Sequence, residues 1–123
     1  MAGPYYHFTS EANLPSIMHS GIWRGDVPIS PEGGFQAPWL TINPNPRQQQ
    51  WTMGGAKAGV RLTVEIPDDD DVNTLPWMEL ARDAETPEWW LDALNQSGGG
   101  GQHDWFVFMG VIKPEWITNV ERM

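Results

Sequence analysis

The sequence predicts one α+β domain spanning residues 1–123, and three observations carry that reading. Val60 to Ile66 alternates apolar and polar residues with period two, as a half-buried strand does. Trp105 to Ile112 is an unbroken apolar run, as expected of a central strand buried on both faces. Helical spacing is confined to three short segments, and strands and helices do not alternate in a βαβ rhythm.

The elements follow in order. Tyr5 to Thr9 reads as an opening strand rich in aromatics. Ser10 then stands where an N-cap would, ahead of Leu14, Ile17 and Met18 at helical spacing, with Pro15 in the first turn and Gly21 as the stop. Residues 24–38 are dense in glycine and proline and predict irregular loop with at most a short extended piece over Val27–Ser30. Trp39 to Ile42 is a short strand ended by Asn43-Pro44-Asn45-Pro46, and a polar loop runs from Arg47 to Gly59. After Pro67, Asp68 to Asp71 reads as a solvated loop rather than a metal site. Pro76–Asp83 and Pro87–Asn95 predict two short helices, each with proline at a plausible first position and acids in the first turn. Gly98 to Gly101 is a surface loop, and Ile117 to Val120 a last edge strand.

Composition narrows the function. The chain has no cysteine, which excludes disulfides, thiolate zinc sites and cysteine nucleophiles and points to a reducing, cytoplasmic location. No signal-like leader and no apolar stretch long enough for a membrane span is evident, so a soluble protein without a membrane partner is expected. The formal charge is −9 and unevenly placed. Residues 1–61 carry four basic against three acidic side chains, whereas residues 62–104 set only Arg82 against eleven carboxylates. That balance disfavours broad nucleic-acid binding, which needs a basic patch, and leaves room for one small anionic ligand in the N-terminal half. Eight tryptophans exceed what so small a core can fully bury, so some are expected to line a groove or an interface.

His7 and Thr9 lie two residues apart on the first strand and so share a face. An imidazole and a hydroxyl placed together can hold a ribose or an amide by hydrogen bonds. The stretch Tyr6-His7-Phe8-Thr9-Ser10, followed by Asn13-Leu14, Ile17 and Gly21-Ile22, resembles the opening of the DarT-like ADP-ribosyltransferases and, more distantly, the tRNA 2′-phosphotransferases. Trp39-Leu40-Thr41 resembles the second element of that superfamily, and Ile112-Lys113-Pro114-Glu115-Trp116-Ile117 its closing stretch.

The resemblance implies a small split β-sheet fold with a few short helices and NAD as cofactor. It implies transfer of ADP-ribose to a macromolecular acceptor, protein rather than nucleic acid for so acidic a chain, and a role as a toxin or conflict factor in bacteria or phages. By the same carry-over, His7 holds the nicotinamide ribose, Thr9 and Ser10 support the adenosine side, and Trp39 stacks, with Thr41 beside it among the NAD-binding residues. Arg24 serves the pyrophosphate, for which a guanidinium fork is suited. The family's catalytic glutamate has no counterpart: the matching stretch reads Gln102-His103-Asp104-Trp105-Phe106, leaving Asp104 as the candidate carboxylate beside His7 and Trp39. The alternative is a non-catalytic module that binds a nucleotide or a protein on the same fold.

Overall fold

The computed structural model describes residues 1–45, 59–97 and 101–122. Trp51, most of the 47–59 loop and Gly98 to Gly100 lie outside these residues. Six strands form one sheet in the order β6-β7-β4-β1-β5-β8, every neighbouring pair antiparallel. They are β1 (Ala2–Thr9), β4 (Trp39–Thr41), β5 (Val60–Ile66), β6 (Thr74–Pro76), β7 (Trp105–Phe108) and β8 (Ile117–Arg122). A separate hairpin pairs β2 (Asp26–Ser30) with β3 (Gly33–Gln36), and the α-helices are α1 (Leu14–Ser20), α2 (Trp77–Asp83) and α3 (Glu88–Ser97). The molecule is a mixed α+β protein. No helix among the described residues is long and apolar enough to cross a membrane.

The period-two pattern of β5 is realised residue by residue. Val60, Leu62, Val64 and Ile66 are fully buried, while Arg61, Thr63 and Glu65 between them are half-buried. These four residues join Tyr5, Ile17, Leu40, Phe108 and Trp116 in a core beneath α1. The opposite face of the sheet carries a second core, in which Trp39, Trp105 and Val107 pack against Trp77 and Ala81 of α2, Leu94 of α3 and Val27 of the hairpin. Trp77 and Trp105 are almost wholly enclosed there, and burying one large apolar side chain contributes roughly 2–3 kcal/mol.

Several elements differ from the pattern read in sequence. The apolar run from Trp105 does not continue as one strand to Ile112. It breaks after Phe108, where Met109 N–H donates to Asn73 O at 2.8 Å and Gly110 bends the chain, and Ile112 then bridges to Ile22. The 24–38 region is a hairpin rather than an irregular loop. Gly34 permits it, because a Cβ at that position would stand 1.8 Å from the Val27 carbonyl oxygen. Ser10 does not cap a helix through its side chain; a 3-10 turn over Glu11–Asn13 intervenes, and α1 begins at Leu14. The three-residue strand β6 is an addition, its proline tolerated at the sheet edge.

The acidic run is tied to β1 at both ends, the Met1 amino group lying 3.0 Å from Asp68 Oδ1. Tyr5 Oη donates to Asp71 Oδ1 at 2.9 Å, and burial, with that bond and the Asp71 charge behind it, pushes the Tyr5 phenol up to about 12.

Candidate functional site

The pairing of β1 with its two neighbours is unequal. With β5 it runs in register from Ala2↔Ile66 to Thr9↔Val60, with one irregularity between Ala2 and Tyr5. With β4 it registers only at Tyr6↔Thr41. Beyond that pair the strands part, leaving a space of about 10 Å3 between His7 and Phe8 on one side and Trp39 and Leu40 on the other. His7 spans the gap, its Nδ1 lying 2.8 Å from the Trp39 carbonyl oxygen.

That bond settles the tautomer. A carbonyl oxygen only accepts, so Nδ1 carries the proton and donates. Loss of hydration on burial lowers the pKa of His7 below 6.5, against the smaller opposing effect of the Trp39 bond. The ring is therefore neutral at pH 7, and Nε2 is left as a hydrogen-bond acceptor.

On its other side His7 faces a cleft of about 490 Å3, formed by the end of β1, the inner side of α1 and the chain through Arg24. Thr9, Asn13, Gly21, Trp23 and Arg24 share its walls, together with the hydroxyls of Ser16 and Ser20. Asn13 Nδ2 donates to Thr9 Oγ1 at 3.4 Å, which ties the helix entry to the strand. The Arg24 guanidinium carbon lies 4.3 Å from the centre of the exposed Trp23 ring, a cation–π contact that keeps both groups at the rim. None of the lining residues is acidic. In a chain of net charge −9, Arg24 gives this cleft a local positive sign.

Gly21 fixes the floor of the cleft. Its φ is +86°, a region that favours glycine, and a Cβ there would stand 2.3 Å from the Ile112 carbonyl oxygen. That close approach lets Ile22 pair with Ile112 in both directions, each N–H donating to the other's carbonyl at 2.9 Å.

The structure thus brings together His7, Thr9 and Arg24. Ser10 adjoins Thr9, half-buried, and does not line the cleft. Trp39 was expected beside His7 as a stacking surface, and its ring lies on the opposite face of the sheet. The Tyr6↔Thr41 register places Thr41 and Trp39 on the Tyr6 side, whereas His7 alternates to the other. The Trp39 indole is 4% exposed, donates through Nε1 to the Asp26 carbonyl at 2.7 Å, and meets Trp77 and Trp105 edge to face. Thr41 is buried on that same side, its Oγ1 accepting the Asn43 N–H at 3.0 Å.

Asp104 is also apart from the cleft. It precedes β7, which β4 separates from β1 by two strand spacings, about 10 Å. Its Oδ2 accepts a 3.3 Å hydrogen bond from Asn43 Nδ2. Gln102 lies on the α2–α3 side. The aromatic residue that does share the cleft with His7 is Trp23, which sequence reasoning passed over. Its place directly after the Gly21 stop, paired with Arg24, was the signal that could have found it.

Chemically, the cleft offers a neutral imidazole acceptor, three hydroxyls, one amide, one guanidinium and one indole face. That set suits a polyhydroxylated anion. No protein-family model matches the chain, and no curated protein or solved structure matches it.

Proposed function

We propose that the chain is an ADP-ribosyltransferase-like protein that binds NAD in the His7 cleft and transfers its ADP-ribose to a macromolecular acceptor. The observation that carries this reading is the neutral His7, held at the parting of β1 and β4 with Nε2 free to accept a ribose hydroxyl. The narrow pairing between β1 and β4 divides the sheet into β6-β7-β4 and β1-β5-β8, which supports the split-sheet fold that the N-terminal motif implies.

The cleft volume of about 490 Å3 falls in the range of ligand pockets, and its residues fit the parts of a dinucleotide. Arg24 would neutralise the pyrophosphate, Trp23 would stack on a ring, and Thr9, with Ser16 and Ser20, would hydrogen-bond a ribose. NAD supplies the nicotinamide–ribose bond that breaks. The acidity of the chain favours a protein acceptor over nucleic acid. A role as toxin or conflict factor rests on the motif resemblance alone.

A second reading keeps the cleft and drops the chemistry. Asp104 is bonded to Asn43 and does not line the His7 cleft, so no carboxylate stands where charge would develop on the ribose. This favours a non-catalytic nucleotide-binding module. Nicotinamide release separates the two. Turnover by the unmodified chain that falls about a hundredfold in His7→Asn supports the transferase. Binding of NAD without nicotinamide release supports the module, and release unchanged in Asp104→Asn agrees with the place of Asp104 outside the cleft.

A further inference from the structure

Ile22 and Ile112 form a hydrogen-bonded antiparallel pair in which both side chains are buried. Side chains alternate along an extended chain, so the residues flanking this pair turn the other way. Trp23 therefore stands opposite Val111, and Gly21 opposite Lys113, on the outer face. The exposures agree: Trp23 is 49% and Val111 47% exposed, against 3% for Ile22 and 0% for Ile112. Val111 Cγ1 lies 3.2 Å from where a Cβ on Gly21 would stand, which puts it on that same outer face.

The two cations that the fold leaves without a carboxylate flank this apolar pair. The chain has seven lysines and arginines, of which five lie among the described residues. Arg61 pairs with Glu121, Arg122 pairs with Glu11, and Arg82 stands in a cavity lined by acidic side chains. Arg24 and Lys113 remain, both exposed, and among the described residues neither enters an ion pair. Each rests on an aromatic ring instead, the Arg24 guanidinium carbon 4.3 Å from the centre of Trp23 and Lys113 Nζ 5.7 Å from that of Trp116. A guanidinium held through a ring face keeps the N–H donors of its edge for an acceptor. Arg24 adjoins Trp23 at one end of the apolar pair, and Lys113 lies two residues past Val111 at the other, about 7 Å along an extended chain. The acids nearest in sequence do not neutralise them: Asp26 accepts from Gln36 Nε2, and Glu115 makes no ion pair among the described residues.

Tryptophan and arginine side by side are the residues that most often anchor protein interfaces. An anionic bilayer presents an extended negative surface to the whole molecule, and the net charge of −9 opposes its approach. A short segment responds mainly to charges within a Debye length, about 8 Å, and so to Arg24 and Lys113 more than to distant carboxylates.

We propose that this outer face docks a protein segment in which one large apolar side chain is flanked by carboxylates. The apolar side chain packs on Trp23 and Val111, and the carboxylates accept from Arg24 and Lys113. Trp23 and Arg24 also line the His7 cleft, so under the transferase reading, and resting on it, the segment belongs to the acceptor. The docking itself needs neither NAD nor turnover.

The test is a calorimetric and NMR titration of the full chain, without NAD, with an acetylated and amidated heptapeptide that has phenylalanine at its centre and glutamate at the other six positions. Saturable binding at submillimolar concentration is expected, weakened by salt and shifting the Trp23 indole and the Val111 and Lys113 amides. Peptides with glycine at the centre, or with lysine in place of glutamate, should bind at least about tenfold more weakly. The surface variants Trp23→Ala and Arg24→Gln/Lys113→Gln should each weaken binding about tenfold, with the far-UV circular dichroism unchanged. No saturable binding, equal binding of a control peptide, or binding undiminished in either folded variant overturns the proposal. Stronger binding to phosphatidylserine vesicles than to the peptide overturns it in favour of a membrane, and self-association abolished by the double variant overturns it in favour of a second copy. Because no NAD is present, failure here leaves the reading of the His7 cleft standing, and absence of NAD binding leaves this docking face standing.

Discussion

His7 Nδ1 donates to the carbonyl of Trp39 across the one place where the sheet is thinly paired, 2.8 Å apart. The same ring thus braces two strands and presents its other nitrogen to the cleft. The two roles separate by substitution. Asparagine places a donor where Nδ1 stands and has nothing at Nε2, so His7→Asn should retain the fold to within about 1 kcal/mol while losing ligand affinity. His7→Phe removes the donor to the Trp39 carbonyl and should cost about 1–3 kcal/mol by urea denaturation. Equal destabilisation by both variants would show that packing, not the hydrogen bond, is what His7 supplies.

The lowered pKa of His7 makes stability depend on pH in a fixed direction. An unfolded histidine takes up its proton near 6.5 and the folded one only at lower pH. The stabilising contribution is therefore complete above 6.5 and is lost as pH falls from there through the folded-state pKa. Denaturation midpoints measured from pH 8 to pH 5 should decline over that window, and His7→Asn should flatten the decline. A slope unchanged in the variant would assign it to other groups.

Gly21→Ala should destabilise the protein by about 2–4 kcal/mol, combining the left-handed backbone with the collision against the Ile112 carbonyl. The melting temperature should drop, and the loss should be largest in amide-exchange protection at Ile22 and Ile112. A change below about 0.5 kcal/mol would mean that the chain there relaxes freely.

Glu85 ends α2 in the left-handed region, at φ 56°, while Thr86 N–H returns to the Ala81 carbonyl at 2.9 Å. Glycine is the usual residue for such a helix end. Glu85→Gly should therefore stabilise the fold by up to about 1 kcal/mol, read as a raised midpoint in thermal denaturation. A lowered midpoint would show that the Glu85 side chain contributes more than its backbone costs.

Much of the framework was legible in residue order because local pattern and tertiary burial agree. Val60–Ile66 alternates and is buried on alternate residues, Gly21 stops α1, and prolines 76 and 87 stand at the starts of α2 and α3. Elements decided by distant contacts were not legible. Phe108 ends β7 although the apolar run goes on, because Met109 bonds Asn73, 36 positions back along the chain. The β2–β3 hairpin depends on Gly34 approaching Val27, which composition alone reads as loop. Within the candidate site, His7, Thr9 and Arg24 come together because they belong to one contiguous strand–helix unit. Trp39 does not join them: a strand's period tells which residues share a face within it, but the register to its neighbour tells which face that is.

The most direct measurement is an NMR titration of the full chain with NAD, following backbone amides and indole N–H resonances together. Occupation of the His7 cleft predicts saturable shifts at Thr9, Gly21 and Arg24 and at the Trp23 indole. The enclosed indoles of Trp39, Trp77 and Trp105 should scarcely move, and His7→Asn should weaken the effect about tenfold or more. No shift at millimolar NAD, or shifts confined to the α2–α3 face, would contradict the assignment of the cleft.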